Sequence, residues 1–286
     1  MYLKTDRIIV TLKGINFRSY RSGGTGEYVL DPTALTGWDD GVTVRRDATV
    51  RPVSNGDFKE PYTFGSRLIG ISGTAIATSR GELQRMRDAL AGILADGEYA
   101  DISVETSVST RYAVVGLEKS LEWVQQHDTV AAFRLELYAP DPHIYGTERT
   151  ITLGATNNVG GGLIYPLAYP LNYNPATLLT YNPTMVNNGN AISWPKFKVT
   201  GDYYSGFTLT DGKDNKVTYN GIVSTAAPVE IDMGKGTATQ NGTDKTVLVS
   251  ERDWFGILPG ETIKPEFVPI QSATGWCDII IRDTFI

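Results

Sequence analysis

The sequence predicts an α+β domain followed by an all-β domain. Three observations carry this prediction. Strands and one helix share the chain as far as Ala139, prolines then interrupt it at Pro140 and Pro142, and only short strands and turns can be read beyond Ala191. The stop organises the rest. Ala131 to Gly146 reads AAFRLELYAPDPHIYG. Phe133, Leu135 and Leu137 fall on one face and Arg134, Glu136 and Tyr138 on the other, the period of a half-buried strand. Pro140 and Pro142 remove backbone donors, so the sheet cannot continue through them. The expected division is a first domain over 1–146, an extended linker or arm with the first strands of the second domain over 147–190, and a β-sandwich over 191–286.

Taken in order, Arg7 to Phe17 opens with a strand, with Ile8, Val10 and Leu12 on one face. Arg18 to Gly41, rich in Gly, Ser, Thr and Asp, reads as a long loop. Strands are expected at Val42–Val53 and Thr63–Ala77, joined at Ser54-Asn55-Gly56-Asp57, where Asn-Gly is a strong hairpin signal. Arg45, Arg46 and Asp47 would be costly if buried unpaired, so they mark an exposed edge or an interface. The one helix is expected over Arg80 to Ala95. Ser79 and Glu82 form an S-x-x-E capping box, and Leu83, Met86, Leu90 and Ile93/Leu94 make a stripe that packs on a sheet. Asp96-Gly97 ends it. Strands resume at Ala100–Val108, Tyr112–Val124 and Thr129–Ala139, the last two joined by the short polar link Gln125–Asp128. One helix on several strands is an α+β sandwich-like unit.

Thr147 to Asn158 is expected to begin with a short strand. Gly160-Gly161-Gly162 then precedes LIYPLAYPLNYNP. Tyr165, Tyr169 and Tyr173 recur every four residues, but Pro166 and Pro170 exclude a helix, where an interior proline costs about 3 kcal/mol. Read as extended chain, Leu163, Tyr165, Leu167, Tyr169, Leu171 and Tyr173 share one side. Such an arm must bury that side, either as an edge strand of its own domain or against a neighbouring subunit. Strands are expected at Pro195–Gly201, Gly206–Thr210, Lys216–Tyr219, Val229–Asp232, Lys245–Ser250, Thr262–Ile270 and Trp276–Arg282. Turns at Asp211-Gly212, Asn220-Gly221, Asn241-Gly242 and Pro259-Gly260 separate them, the pattern of a β-sandwich or jelly roll.

Composition narrows the function classes. The 286 residues are 41% hydrophobic and 20% charged, which is globular and not disordered. A net charge of −6 argues against a general nucleic-acid binder, which needs a basic footprint. Cys277 is the single cysteine, so no intrachain disulfide can form, and WCDIIIRD reads as a strand that buries it. The N-terminus MYLKTDRIIVTLKG lacks a signal-peptide core and no run reaches the ~20 apolar residues of a membrane span, so synthesis and folding in the cytoplasm are expected.

A search for chemistry returns little. His127 and His143 have no metal-ligand spacing, and no G-x-S-x-G elbow is present. Met233-Gly234-Lys235-Gly236-Thr237 lacks the upstream glycine of a phosphate loop, and Asp211-Gly212-Lys213-Asp214-Asn215 lacks the ligand alternation of a calcium loop. Asp39 and Asp40 are adjacent, so they point apart on a strand and do not make an acid/base pair. Tyr203, Tyr204, Trp254 and Phe255 suggest a sugar platform or, more economically, core and interface. A carbohydrate-binding β-sandwich serving host-surface adhesion is therefore the alternative reading. No catalytic residue, cofactor or metal is expected, and the chain is not read as an enzyme.

The order of segments carries a resemblance. RLIGISGTAIA leads into SRGELQRMRDALAGIL; FRLELYAPDPHIYG follows; then come GGGLIYPLAYPLNY, NNGNAISWPKFKVTG and WFGILPGE. This succession resembles the distal tail proteins, or minor tail proteins, of long-tailed non-contractile bacteriophages. The resemblance implies a tail-tube-like β-sandwich with one flanking helix, then a galectin-like sandwich. It implies a homohexameric ring in the virion tail tip, assembled in the host bacterial cytoplasm. The ring would join the tail tube protein to the tail-tip hub, with the tape-measure protein as a further partner. DNA would only pass through the lumen, and no membrane would be involved. Under this reading Arg45, Arg46, Leu163, Tyr165, Leu167, Tyr169 and Tyr173 are the expected subunit-interface residues. No insertion resembles a carbohydrate-binding module.

Overall fold

A computed structural model of the chain describes residues 7–154, 184–271 and 274–286. They form two compact units, Met1–Thr147 with Phe285–Ile286, and Glu148–Thr284. The first unit contains β1 (Ile9–Leu12), β2 (Ile15–Arg18), β3 (Glu27–Thr36), β4 (Val44–Arg45), β5 (Thr63–Phe64), β6 (Arg67–Ile76), α1 (Arg80–Ala91), β7 (Ala100–Glu105), β8 (Thr110–His127), β9 (Val130–Ala139) and β10 (Ile144–Tyr145).

Its main sheet runs β10-β8-β7-β1-β2-β3-β6-β9 and closes on itself, because β8 also pairs with β9. The length of β8 makes this closure feasible. Thr110 to Val115 pair with β7, while Gly116 to His127 pair with β9. A closed sheet removes the unpaired edges that invite further strands. The most regular seam is β6–β9, where ten residue pairs run from Arg67↔Ala139 to Ile76↔Val130. Ala131, Phe133, Leu135, Leu137 and Ala139 are all buried along β9, as the period-2 reading of this strand requires.

The narrowest seam of the closed circuit, from β8 round to β9, is parallel. β2 and β3 meet through Phe17↔Tyr28 and Arg18↔Val29 alone. Side chains support what the backbone pairs only briefly. Phe17, Tyr28 and Phe133 place their ring centroids 5.4–5.7 Å apart, within the range of favourable aromatic contacts. The Tyr28 hydroxyl donates to the Met86 carbonyl on α1 at 2.8 Å. The helix adds Leu83, Met86 and Leu90 to the same core, and Ile93 and Leu94 follow them inward.

The stretch 7–17 opens with a strand, β1, and turns back at once into β2. Lys13 and Gly14 take φ of 43° and 80°, the mirror-image turn that matches strand twist. Several expectations need correction here. Residues 18–41 are not a long loop, since β3 lies within them. Pro32 obscured it, and the register slips between Leu30 and Leu35 where the proline sits. Of the strand expected over 42–53, only Val44–Arg45 forms a ladder. The helix stops at Ala91, with Gly92 N bonded to Asp88 O, and Leu94 adopts φ 55°. Ser79 caps the Glu82 amide as expected, but Glu82 reaches back to Thr78, bonding its amide at 2.7 Å and its hydroxyl at 2.5 Å.

The second unit contains β11 (Arg149–Gly154), β12 (Met185–Val186), β13 (Lys196–Asp202), β14 (Phe207–Thr210), β15 (Lys216–Tyr219), β16 (Val229–Asp232), β17 (Thr237–Gln240), β18 (Thr243–Asp244), β19 (Val249–Arg252), β20 (Thr262–Ile263), β21 (Glu266–Pro269) and β22 (Thr274–Ile281). One sheet runs β11-β22-β13-β16-β17-β18 and another β19-β15-β14-β21, with β12 paired to β20. Both larger sheets feed one core. Phe197, Val199, Val229, Ile231, Cys277 and Ile279 come from the first, and Phe207, Leu209, Val217, Tyr219 and Phe267 from the second.

The sequence reading misses β17 and β18, joined by the left-handed pair Asn241 (φ 48°) and Gly242 (φ 75°). The expected strand 245–250 is a short 3-10 turn over Thr246–Leu248 followed by β19. The expected strand 262–270 is broken into β20 and β21, with Pro265 between them.

Two predictions follow from the cores. Phe17→Ala removes one member of the aromatic trio and is expected to destabilise the first unit by about 3–5 kcal/mol. Urea denaturation of the variant beside the parent measures it, and a loss below 1 kcal/mol would contradict the role given to this cluster. Burial pushes the Cys277 thiol well up, and the Asp278 charge adds to the effect. Thiol-labelling mass spectrometry is therefore expected to find no reaction until the second unit unfolds. Labelling of the folded protein at the rate of a free thiol would overturn this.

Candidate assembly surfaces

β6 opens with an arginine in phase with its buried positions Ile69, Ile71 and Ala75, so Arg67 points inward and is 3% exposed. A buried charge must be held by polar groups. Backbone carbonyls hold this one. Arg67 Nε donates to Pro142 O at 2.9 Å. Its Nη1 donates to Gly37 O, Trp38 O and Asp40 O at 2.8, 3.0 and 3.0 Å. Burial pushes the guanidinium pKa down, while Asp39 and Asp40 oppose that shift. Arg67 Nη2 is buried and has no partner among the described residues. The sequence did carry a signal for this residue, an arginine at a core-phase position, and the strand reading passed over it.

The loop that Arg67 gathers is tight. Gly37 has φ 75°, and a Cβ there would lie 1.8 Å from Leu68 O, so no other residue fits. Asp40 Oδ2 accepts from the Gly37 amide at 2.8 Å. From this root an arm extends over residues 41–66. Its neck is the pairing Val44↔Phe64 and Arg45↔Thr63, with Gly65 N bonded to Thr43 O at 2.8 Å. Farther out, Val50 bridges Asp57, and the Arg51 amide donates to Gly56 O. The turn expected at Ser54–Asp57 is therefore present without the long strands expected around it.

Arg45 and Arg46 both lie on this arm and are exposed. Arg46 pairs with Asp57 across the arm at 2.8 Å. The apolar residues of the arm are also exposed: Val44 by 52%, Phe58 by 51%, Tyr62 by 60% and Val53 by 96%. Several large apolar side chains on one exposed segment make the arm a candidate interaction surface. Where the arm meets the barrel, a cavity of about 410 Å³ is lined by Asp40, Gly41, Thr43, Arg45, Gly65 and Arg67, among others.

The other expected interface residues, Leu163, Tyr165, Leu167, Tyr169 and Tyr173, lie outside the described residues. The proposed aromatic platform does not exist as a unit. Tyr203 and Phe255 are core residues at 1% and 4% exposure, whereas Tyr204 is 76% exposed. Among the described residues, no group of three His, Cys, Asp or Glu is arranged to hold a metal, and no helix is long and apolar enough to cross a membrane.

The junction after β9 has its own hydrogen-bond knot. Asp141 Oδ1 accepts from the His143 amide at 3.0 Å and lies 2.7 Å from His143 Nδ1. Tyr145 Oη donates to Asp141 Oδ2 at 2.5 Å. Tyr145 in turn pairs with Tyr112, so the chain leaves β9 and returns at once to β8.

Comparison with known proteins gives these features a class. Residues 188–274 match the family model described as the siphovirus-type tail component, C-terminal domain. Over nearly its whole length the chain shares the fold of the SPP1 Dit (gp 19.1) protein, described as a paradigm of the hub adsorption apparatus in phages infecting Gram-positive bacteria. The TM-score is 0.63 at 13% identity, covering 98% of this chain and 99% of that one. A chain from the phage P2 baseplate in its activated conformation with Ca is also similar, with TM-score 0.50 and 10% identity over 97% of each chain. No curated protein matches this sequence. The mostly-β fold is thus that of phage tail components. Within that class, the resemblance to siphophage distal tail proteins stands, by domain family over 188–274 and by fold over the rest.

One prediction concerns the junction. Burial raises the Asp141 pKa, but hydrogen bonds from the His143 ring, the Tyr145 hydroxyl and the His143 amide outweigh it and leave the carboxyl below its usual range. A depressed folded-state pKa stabilises above the unfolded value of about 3.9, and that stability is lost as pH falls through the folded value. Asp141→Asn is expected to be less stable than the parent at pH 7, with the difference shrinking below about pH 4. Thermal melts of both proteins across pH 2.5–7 on the order of half-unit steps measure it. A difference independent of pH would refute the linkage.

Proposed function

We propose that this protein is a structural component of a long-tailed phage tail tip. Copies of the chain assemble into a hexameric ring that joins the tail tube to the tail-tip hub and surrounds the DNA path. The observation that supports this most is the likeness to SPP1 Dit across 98% of the chain, with a tail-component domain matched within it. In this reading residues 1–146 are the tail-tube-like ring former, 147–190 the linking arm, and 191–286 a peripheral galectin-like sandwich. The tail tube protein, the hub protein and the tape-measure protein are the partners, and the site of action is the virion tail tip after assembly in the host cytoplasm.

Two physical features fit the role. The barrel is closed, so neighbouring copies meet through side chains and projecting segments and not by strand addition. The exposed arm, with Arg45 and Arg46 at its neck, is the projecting segment best suited to an interface, together with Leu163, Tyr165, Leu167, Tyr169 and Tyr173. A chain of net charge −6 also suits a lumen that DNA must cross without adhering. The role is structural and involves no catalytic step. Negative-stain microscopy of the purified protein, or of tails, is expected to show six-fold rings. A protein that stays monomeric at every concentration and is missing from virions would end this reading.

A further inference from the structure

A narrow groove runs between α1 and β8 in the first unit. Its cavity of about 110 Å³ is lined by Arg80, Leu83, Gln84 and Arg87 of the helix and by Trp123 and Gln125 of the strand. Arg80, Gln84 and Arg87 stand at i, i+4 and i+7, so one stripe of α1 carries all three. Leu83 is buried and Trp123 packs against the core, which makes the floor apolar. Pairing of Trp123 with Phe133 on β9 fixes where the indole sits. The rim is cationic. Arg80 and Arg87 are exposed, and neither has an ion pair among the described residues. Other exposed cations of this unit do have acids: Lys13 pairs with Asp96 and Glu98, Arg46 with Asp57, and Lys119 and Arg134 share Glu136. Among the described residues no carboxylate lines the groove.

Exposed guanidiniums beside an apolar floor suit a partner that brings carboxylates on either side of an apolar side chain. Spacing narrows the partner further. Seven residues of α1 rise about 10.5 Å, so the two arginines emerge two turns apart and can each take a separate acid. A second helix matches that interval with acids at i and i+7. Its residue at i+3 or i+4 then lies between them on the same face. We propose that this groove docks an acidic amphipathic helix of a partner protein, with two carboxylates on Arg80 and Arg87 and an apolar side chain against Leu83 and Trp123. Gln84 and Gln125 flank the site with neutral donors and acceptors. A second copy of this chain does not supply such a helix among the described residues. There α1 is its only α-helix, its acids Glu82 and Asp88 are six apart, and Glu82 is taken by Thr78. The proposal stands on the groove and does not depend on the ring reading.

The test uses dilute full-length protein labelled with fluorotryptophan and read by fluorine NMR. The Trp123 resonance is assigned by its loss in Trp123→Phe. The probe is a capped, hydrocarbon-stapled helical peptide of alanines, with Glu at two positions seven apart and Leu four after the first. A saturable shift of the Trp123 resonance is expected. The double variant Arg80→Gln/Arg87→Gln should weaken binding at least tenfold with little change in melting temperature, since both side chains are exposed. Replacing both peptide glutamates by glutamine, or moving the second to five after the first, should cost as much. No saturable shift in the parent overturns the proposal, as does a shift that the folded double variant keeps at parent affinity. A peptide that binds equally well with its glutamates neutralised or misplaced also overturns it. Oligothymidylate is titrated in parallel. Tighter binding of it at Trp123 would assign the groove to nucleic acid and reject the helix.

Discussion

The first unit depends on the closure of one sheet. β8 spans 18 residues and serves two partners, β7 with its first third and β9 with the remainder. The circuit is completed at the far side by only two parallel residue pairs between β2 and β3. Backbone hydrogen bonds alone would make that a poor joint. Phe17, Tyr28 and Phe133 turn it into a packed one, and the Tyr28 hydroxyl ties it to α1. Strand identity, helix position and the inward aim of Arg67 all follow once the barrel is shut.

Closure also limits how the unit can associate. Open β edges recruit strands without much regard for sequence, whereas a closed barrel offers side chains and projections, which do discriminate. The arm is such a projection. Its neck is held by few backbone bonds, its apolar residues face solvent, and its base is anchored through a single buried arginine. The second unit buries Phe207, Tyr219 and Phe267 between two sheets, while Trp194, Tyr204 and Trp276 stay exposed.

Local rules made much of this legible. Alternation gave β9 its buried face, Ser79 marked the start of α1, and Asn-Gly and Asp-Gly pairs marked turns that the structure contains. The failures are physical as well. Pro32 and a polar surround hid β3, because its pairing with β6 tolerates a bulge that no local pattern shows. The barrel itself was beyond reach, since β1 and β7, or β6 and β9, become neighbours only through the whole fold. The candidate surfaces were half legible. Arg45 and Arg46 stood out as charges that a buried strand would not carry, but Arg67, which holds the loop at the root of the arm, lay unmarked within the strand expected over Thr63–Ala77.

That arginine has a mechanical consequence. One guanidinium grips the carbonyls of residues 37, 38 and 40 at the root of the arm and the carbonyl of Pro142 at the exit from β9. Both grips are hydrogen bonds to the same rigid plane, so neither end can shift by an ångström without straining the other. The root of the arm and the exit from β9 are thereby tied together through one side chain, apart from the packed aromatic core. A change at either place must therefore be matched at the other, or the arginine must give up a carbonyl that its burial makes hard to replace.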